Sequence, residues 1–139
     1  MLPEEVNEVQ KKVLVVDDDP DFLGMIRARL REAGYLVIIT ADSEEALRKV
    51  ESEKPDVVLL DIQMPKVDGL KVLRNLRKID KKLPAYMLTA FPNPERFQTA
   101  KKLGASGFIV KTSDLRKEVQ NITASLRVAA KFRPPRIKP

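Results

Sequence analysis

The feature that most narrows the fold is a fivefold alternation. Short apolar runs, each ending in a polar residue or a turn, are separated by stretches of helical period. The runs predict strands at 13–17, 35–40, 57–61, 85–89 and 107–110. Four of them are continuously apolar rather than alternating, the pattern of strands covered on both faces. After the first run, Leu23, Ile26, Leu30 and Ala33 recur at helical spacing. Leu70, Leu73, Leu76 and Ile79 do so after the third, and Leu115, Val119, Ile122, Leu126 and Ala129 after the fifth. A shorter helix is predicted at 43–52, with Asp42 and Glu45 spaced as a reciprocal capping box, and another at 94–103. Asp19 before Pro20 reads as an N-cap with proline in the first helical turn, and Asp68 before Gly69 as a turn or cap. Asp21 and Asp114 suit the positive N-terminal ends of their helices.

Strand-helix repeats of this length imply a parallel sheet with helices on both sides, joined by right-handed crossovers. A chain of 139 residues is too short for an eightfold barrel, so the expectation is a doubly wound α/β sandwich with strand order 2-1-3-4-5. The expected organisation is an N-terminal extension at 1–11, a single domain at 12–130 and a basic, proline-rich tail at 131–139. The longest apolar run, five residues from Tyr35, cannot span a bilayer, and the first dozen residues lack the apolar core of a secretory signal. A cytoplasmic protein without membrane contact is expected.

The net charge of +6 sits mostly in the tail, because five bases and no acid follow Glu118. The first 118 residues carry 21 bases against 20 acids, which does not make a basic face for gripping nucleic acid. The chain has no Cys and no His, which excludes disulfides, thiolate zinc sites, cysteine nucleophiles and every His-dependent triad. Any chemistry falls to carboxylates, hydroxyls and lysines.

Doubly wound sheets bind ligands beyond the carboxyl ends of their strands, at the switch point of strand order. There the first strand runs into Asp17, Asp18 and Asp19, the third ends in Asp61, the fourth in Thr89, and Lys111 follows the fifth. With strands about 4.8 Å apart, Lys111 starts about 10 Å from Asp61, within reach of its four-carbon stem. Converging carboxylates repel one another and call for a hard cation. Mg²⁺ is favoured over Ca²⁺ because the ligands are few and water can complete an octahedron.

These segments together, Val13–Asp19 (VLVVDDD), Val57–Gly69 (VVLLDIQMPKVDG), Leu88-Thr89-Ala90 and Lys111, resemble the CheY-like receiver domain of bacterial two-component response regulators across about residues 12–126. The resemblance implies a flavodoxin-like fold and a phosphoacceptor switch. Asp61 is then the phosphoacceptor, taking a phosphoryl group from a sensor histidine kinase or a histidine phosphotransfer protein. Asp18 is the direct Mg²⁺ ligand, Asp17 acts largely through water, and Asp61 and the backbone carbonyl of Gln63 join them. Lys111 and Thr89 contact the phosphoryl oxygens. Thr89 and Phe108, the aromatic three residues before the lysine, turn inward on phosphorylation. The surface of the fourth helix, fifth strand and fifth helix then changes its affinity for a downstream protein target or fused output domain, or for a second copy in a homodimer. Such a protein catalyses only its own phosphorylation and dephosphorylation. Two positions depart from the family's habit. Thr112 stands where proline usually follows the lysine through a cis bond, and a cis bond before Thr costs about 2.5–4 kcal/mol, so a trans peptide is expected. Phe91 and Pro92 follow Thr89-Ala90, where smaller or polar residues are common, and a bulky group there would hinder water and lengthen the phosphorylated lifetime.

Other readings fit less well. A haloacid-dehalogenase-type phosphatase needs an acid two residues after its nucleophile, and Gln63 holds that place. The alternative spacing in Asp17-Asp18-Asp19 has no adjacent acidic pair after Lys111 to bind metal. A dinucleotide enzyme needs a glycine-rich loop after the first strand, which is missing. A receiver-like scaffold that binds partners without phosphorylation has Thr112 in its favour.

Overall fold

The computed structural model describes residues 11–62, 68–90, 93–111, 117, 120–124 and 126–127. Its elements alternate as β1 (Lys12–Val16), α1 (Pro20–Glu32), β2 (Leu36–Thr40), α2 (Ser43–Glu53), β3 (Val57–Asp61), α3 (Gly69–Ile79), β4 (Ala85–Thr89), α4 (Pro94–Lys102) and β5 (Gly107–Val110). A fifth helical segment, α5, holds residues 117, 120–124 and 126–127. The strands form one parallel sheet in the order β2-β1-β3-β4-β5, as expected from the sequence.

Side chains alternate across a strand, and the two cores follow that parity. Leu14, Val16, Val58, Leu60, Ala85 and Met87 face α2, α3 and α4, meeting Val50, Leu73, Leu76 and Ala100. Val13, Val15, Val57, Leu59, Tyr86 and Leu88 face α1 and α5, meeting Phe22, Ile26, Leu30, Ile122 and Leu126. β3 and β4 are buried at every residue, which explains their continuous apolar runs.

Local chemistry sets the helix starts. Asp19 accepts from the amides of Asp21 and Phe22, with Pro20 in the first turn, and Asp68 accepts from Leu70 N. The capping box expected at Asp42 is only half made. Asp42 accepts from Glu44 N at 2.9 Å, but its own amide donates to Thr40 Oγ1 at 3.1 Å rather than to Glu45. The Thr40 hydroxyl is nearer in the chain and already ordered by β2, so it takes the amide that the box would have used.

The apolar stripes also end earlier than their spacing suggests. α1 stops at Glu32, leaving Ala33 as an exposed cap before Gly34 at φ 97°, while Ile79 at the end of α3 is 40% exposed. α2 runs one residue beyond the expected end and α4 stops one residue short. β1 begins at Lys12 and β2 at Leu36, a residue away from the predicted starts. Asp114, Leu115, Val119 and Ala129 lie outside the described residues.

Arg77 links α3 to the far end of α4. Its guanidinium donates to Asp80 O at 2.9 Å, Leu103 O at 3.2 Å and Gly104 O at 2.7 Å. These carbonyls lie at helix C-termini and lack intrahelical donors. A Cβ on Gly104, which sits at φ 86°, would fall 3.0 Å from Arg77 Nε, so the glycine also makes room for the clamp. Arg77→Ala is expected to cost about 1–3 kcal/mol in urea unfolding, with faster hydrogen exchange at Gly104 and Ala105.

Candidate functional site

The ends of the three central strands bring the acidic residues together. Val16 pairs with Leu60, and Asp17 N donates to Thr40 O at 3.1 Å, carrying the ladder one residue past β1 and setting Asp17 beside Asp61. On the other side Asp61 pairs with Leu88, Thr89 pairs with Val110, and Lys111 N donates to Thr89 O at 2.7 Å. Strand parity then sorts the side chains. Asp17, Asp61 and Lys111 continue the rows that face α1, whereas Thr89 and Phe108 belong to the rows that face α3 and α4.

Asp17, Asp18 and Asp61 each offer a carboxylate oxygen within 4.8 Å of the others. Asp17 and Asp61 are buried, and Asp18 lies nearer solvent. Lys111 Nζ closes the cluster, in ion-pair contact with Asp17 Oδ2 and 3.3 Å from Asp61 Oδ2. The reach anticipated from strand spacing is therefore met. Asp17 Oδ1 accepts from Asp19 N at 3.0 Å, so the turn into α1 also orients this carboxylate.

Burial pushes the Asp17 carboxyl up from its ordinary 3.8 to about 6, the Asp61 charge adding to the rise, against the opposing pull of Lys111 and the Asp19 amide. Burial alone would lower the Lys111 ammonium, but its contacts with Asp17 and Asp61 outweigh that and raise it.

The donor set suits a hard cation. Every candidate ligand atom in the cluster is an oxygen, and Asp17 Oδ2 is buried with no hydrogen-bond partner beyond its ion pair with Lys111. A carboxylate oxygen left with one ion pair is an available ligand, so the residues fit Mg²⁺. The Gln63 carbonyl, Phe91, Pro92 and Thr112 lie outside the described residues.

Gly69, which closes the Val57–Gly69 segment, has a part in the site that its place in the sequence did not reveal. A Cβ there would lie 2.0 Å from the Asp61 carbonyl oxygen and 2.9 Å from Ile62 Cα, while Gly69 N donates to Ile62 O at 3.1 Å. Only a glycine lets the start of α3 close against the end of β3 and fix the backbone that carries Asp61. In the sequence it reads simply as the residue after a cap, because its neighbour is non-local backbone.

On the opposite face, Phe108 is half-buried and stacks on Phe97, ring centroids 4.4 Å apart at 36°. With Pro94, Gln98, Lys101 and Gly107 the pair lines an open groove of about 530 Å³ between α4 and β5.

The response regulator receiver domain profile matches residues 13–123. The chain is 38% identical over 119 residues to the alkaline phosphatase synthesis transcriptional regulatory protein PhoP of Bacillus subtilis, covering 86% of this chain and 50% of that one. It is 37% identical over 116 residues to the transcriptional regulatory protein PrrA of Mycobacterium tuberculosis, covering 84% and 50%. The chain thus spans about half the length of these curated relatives. Among solved structures, the chemotaxis protein CheY4 of Vibrio cholerae superposes with a TM-score of 0.80 at 32% identity, over 87% of this chain and 99% of that one. No helix among the described residues is long and apolar enough to cross a membrane.

Two measurements check this geometry. Gly69→Ala is expected to lose at least about 2 kcal/mol of stability, read by urea unfolding, because backbone must move to admit the methyl group. Raising the Asp17 pKa on folding means the folded state holds that proton more tightly, so the cost of burying Asp17 is absent below 3.8 and grows until pH passes about 6. In metal-free buffer the melting temperature of Asp17→Asn is therefore expected to gain on wild type as pH rises through that window. A constant difference would contradict the shift.

Proposed function

This chain belongs to the response regulator receiver family, and on that footing we propose that it is a phosphoacceptor switch whose covalent step takes place on Asp61. The observation that carries the reading is the buried Asp61 carboxylate at the end of β3, with an ammonium 3.3 Å away and two further carboxylates within 4.8 Å. An Asp61 oxygen attacks the phosphorus of a phosphohistidine on a sensor kinase or histidine phosphotransfer protein. The acyl-phosphate bond forms as the bond to the donor nitrogen breaks, and the electron pair leaves with the imidazole, which takes up a proton. The 139 residues contain no histidine, in keeping with a donor on a partner.

Gly69 and the β3 ladder hold the backbone at Asp61, so the nucleophile is placed before the donor arrives. Lys111 supplies positive charge where the phosphoryl oxygens come to lie. Asp17, Asp18, Asp61 and the Gln63 carbonyl would hold Mg²⁺, which when bound neutralises charge spreading over those oxygens. Thr89, one residue beyond the partner of Asp61 on the neighbouring strand, would turn its hydroxyl onto the phosphoryl group.

Phosphorylation adds up to about two negative charges to a site where Lys111 is already shared between two carboxylates. Thr89 shares its strand parity with the rows facing α3 and α4, and so does Phe108, which gives the charge change a route to the α4–β5 groove. Moving such an equilibrium from 1:99 to 99:1 takes roughly 5.5 kcal/mol of differential stabilisation. That groove, with α5, would then bind a downstream protein, an output domain or a second copy.

Intact mass after incubation with acetyl phosphate checks the covalent step. Wild type is expected to gain one phosphoryl group in the presence of Mg²⁺, and neither EDTA-treated protein nor Asp61→Asn should do so. No adduct, together with no change on adding beryllofluoride, would favour a scaffold that works without phosphorylation.

A further inference from the structure

Lys111 Nζ, besides contacting both carboxylates, lies 4.5 Å from the centroid of the Phe22 ring, over its face. Phe22 sits in the first turn of α1, and its amide donates to the capping Asp19 at 3.3 Å. Asp19 N in turn donates to Asp17 Oδ1. One turn of chain therefore orients the carboxylate on one side of the ammonium and presents an aromatic face on another. Phe22 is 7% exposed, so little water competes for that side of the cation. An aromatic face attracts a cation through its quadrupole, most strongly where water is excluded.

We propose that Phe22 is a positioning residue, its ring seating the Lys111 ammonium against Asp17 and Asp61 so that the charge is in place before a phosphoryl group arrives. A lysine stem has four rotatable bonds, and their rotamer freedom is lost when the ammonium is fixed. The ring and the two carboxylates meet that cost in the resting protein, which leaves less to be met in the transition state. Leu or Met would fill most of the same volume in the α1 core without offering a π face, so packing and positioning are separable by substitution.

The inference rests on the phosphoacceptor reading for its consequence, but its geometry can be tested independently. In the labelled 139-residue chain, the Lys111 side-chain methylene protons, assigned with Lys111→Arg, are expected to be shifted upfield by the ring. That shift should vanish in Phe22→Leu and in Phe22→Met and return in Phe22→Tyr. Ordinary lysine shifts in wild type would overturn the proposal whether or not the protein is phosphorylated. With acetyl phosphate and Mg²⁺, the initial phosphorylation rate should fall about fivefold in Phe22→Leu and recover in Phe22→Tyr. Adding Phe22→Leu to Lys111→Ala should produce no further fall. An equal fall in both backgrounds would show a purely structural role and overturn the proposal. Absence of phosphorylation in wild type would instead defeat the phosphoacceptor reading, while the ring-current shift still decides the role of Phe22.

Discussion

The sharing of one ammonium between two buried carboxylates is the interaction around which the strand ends are organised. Asp17 is fully buried and Asp61 nearly so, and neither charge could be kept there without a counter-charge. Lys111 provides it from the opposite side of β4, so β1, β3 and β5 are tied together at a single point. The elevated Asp17 carboxyl shows that the compensation is incomplete.

The fold supplies the parity that makes this sharing possible. Two layers of helices cover a sheet whose odd and even residues face different cores, and the same alternation continues past the strand ends. It directs Asp17, Asp61 and Lys111 toward α1 and sends Thr89 and Phe108 the other way. The acid cluster and the α4–β5 groove therefore lie on opposite sides of the sheet, with β4 between them. Gly69 adds the one close backbone contact that this arrangement needs, where α3 begins against the Asp61 carbonyl.

Much of this architecture was legible because it depends on local pattern. Strands covered on both faces appear as unbroken apolar runs, and three of the five match their predicted ranges at both ends. Asp19 and Asp68 cap their helices as their neighbours Pro20 and Gly69 suggested. The acids and the lysine could be placed together because parallel pairing brings successive strand ends side by side. What spacing cannot reveal is competition and non-local contact. Asp42 N had two possible acceptors, and the ordered Thr40 hydroxyl took it. Gly69 touches backbone and Phe22 touches a lysine 89 positions along the chain, and neither partner leaves a mark on the local sequence.

The Arg77 clamp has a mechanical consequence. It fastens the carboxyl end of α4 and the turn after it, whereas near the amino end, among the described residues, the polar link to α3 is the looser, exposed Arg96–Asp68 pair at 3.7 Å. A helix held more firmly at one end than at the other would tilt as a lever rather than slide as a piston. With nine residues and a rise of 1.5 Å each, the arm is about 13 Å long, so a tilt of about 10° at the fulcrum sweeps its tip by about 2 Å. Motion arising near Thr89 would therefore be largest at Pro94 and fade toward Leu103, opening the groove as a wedge.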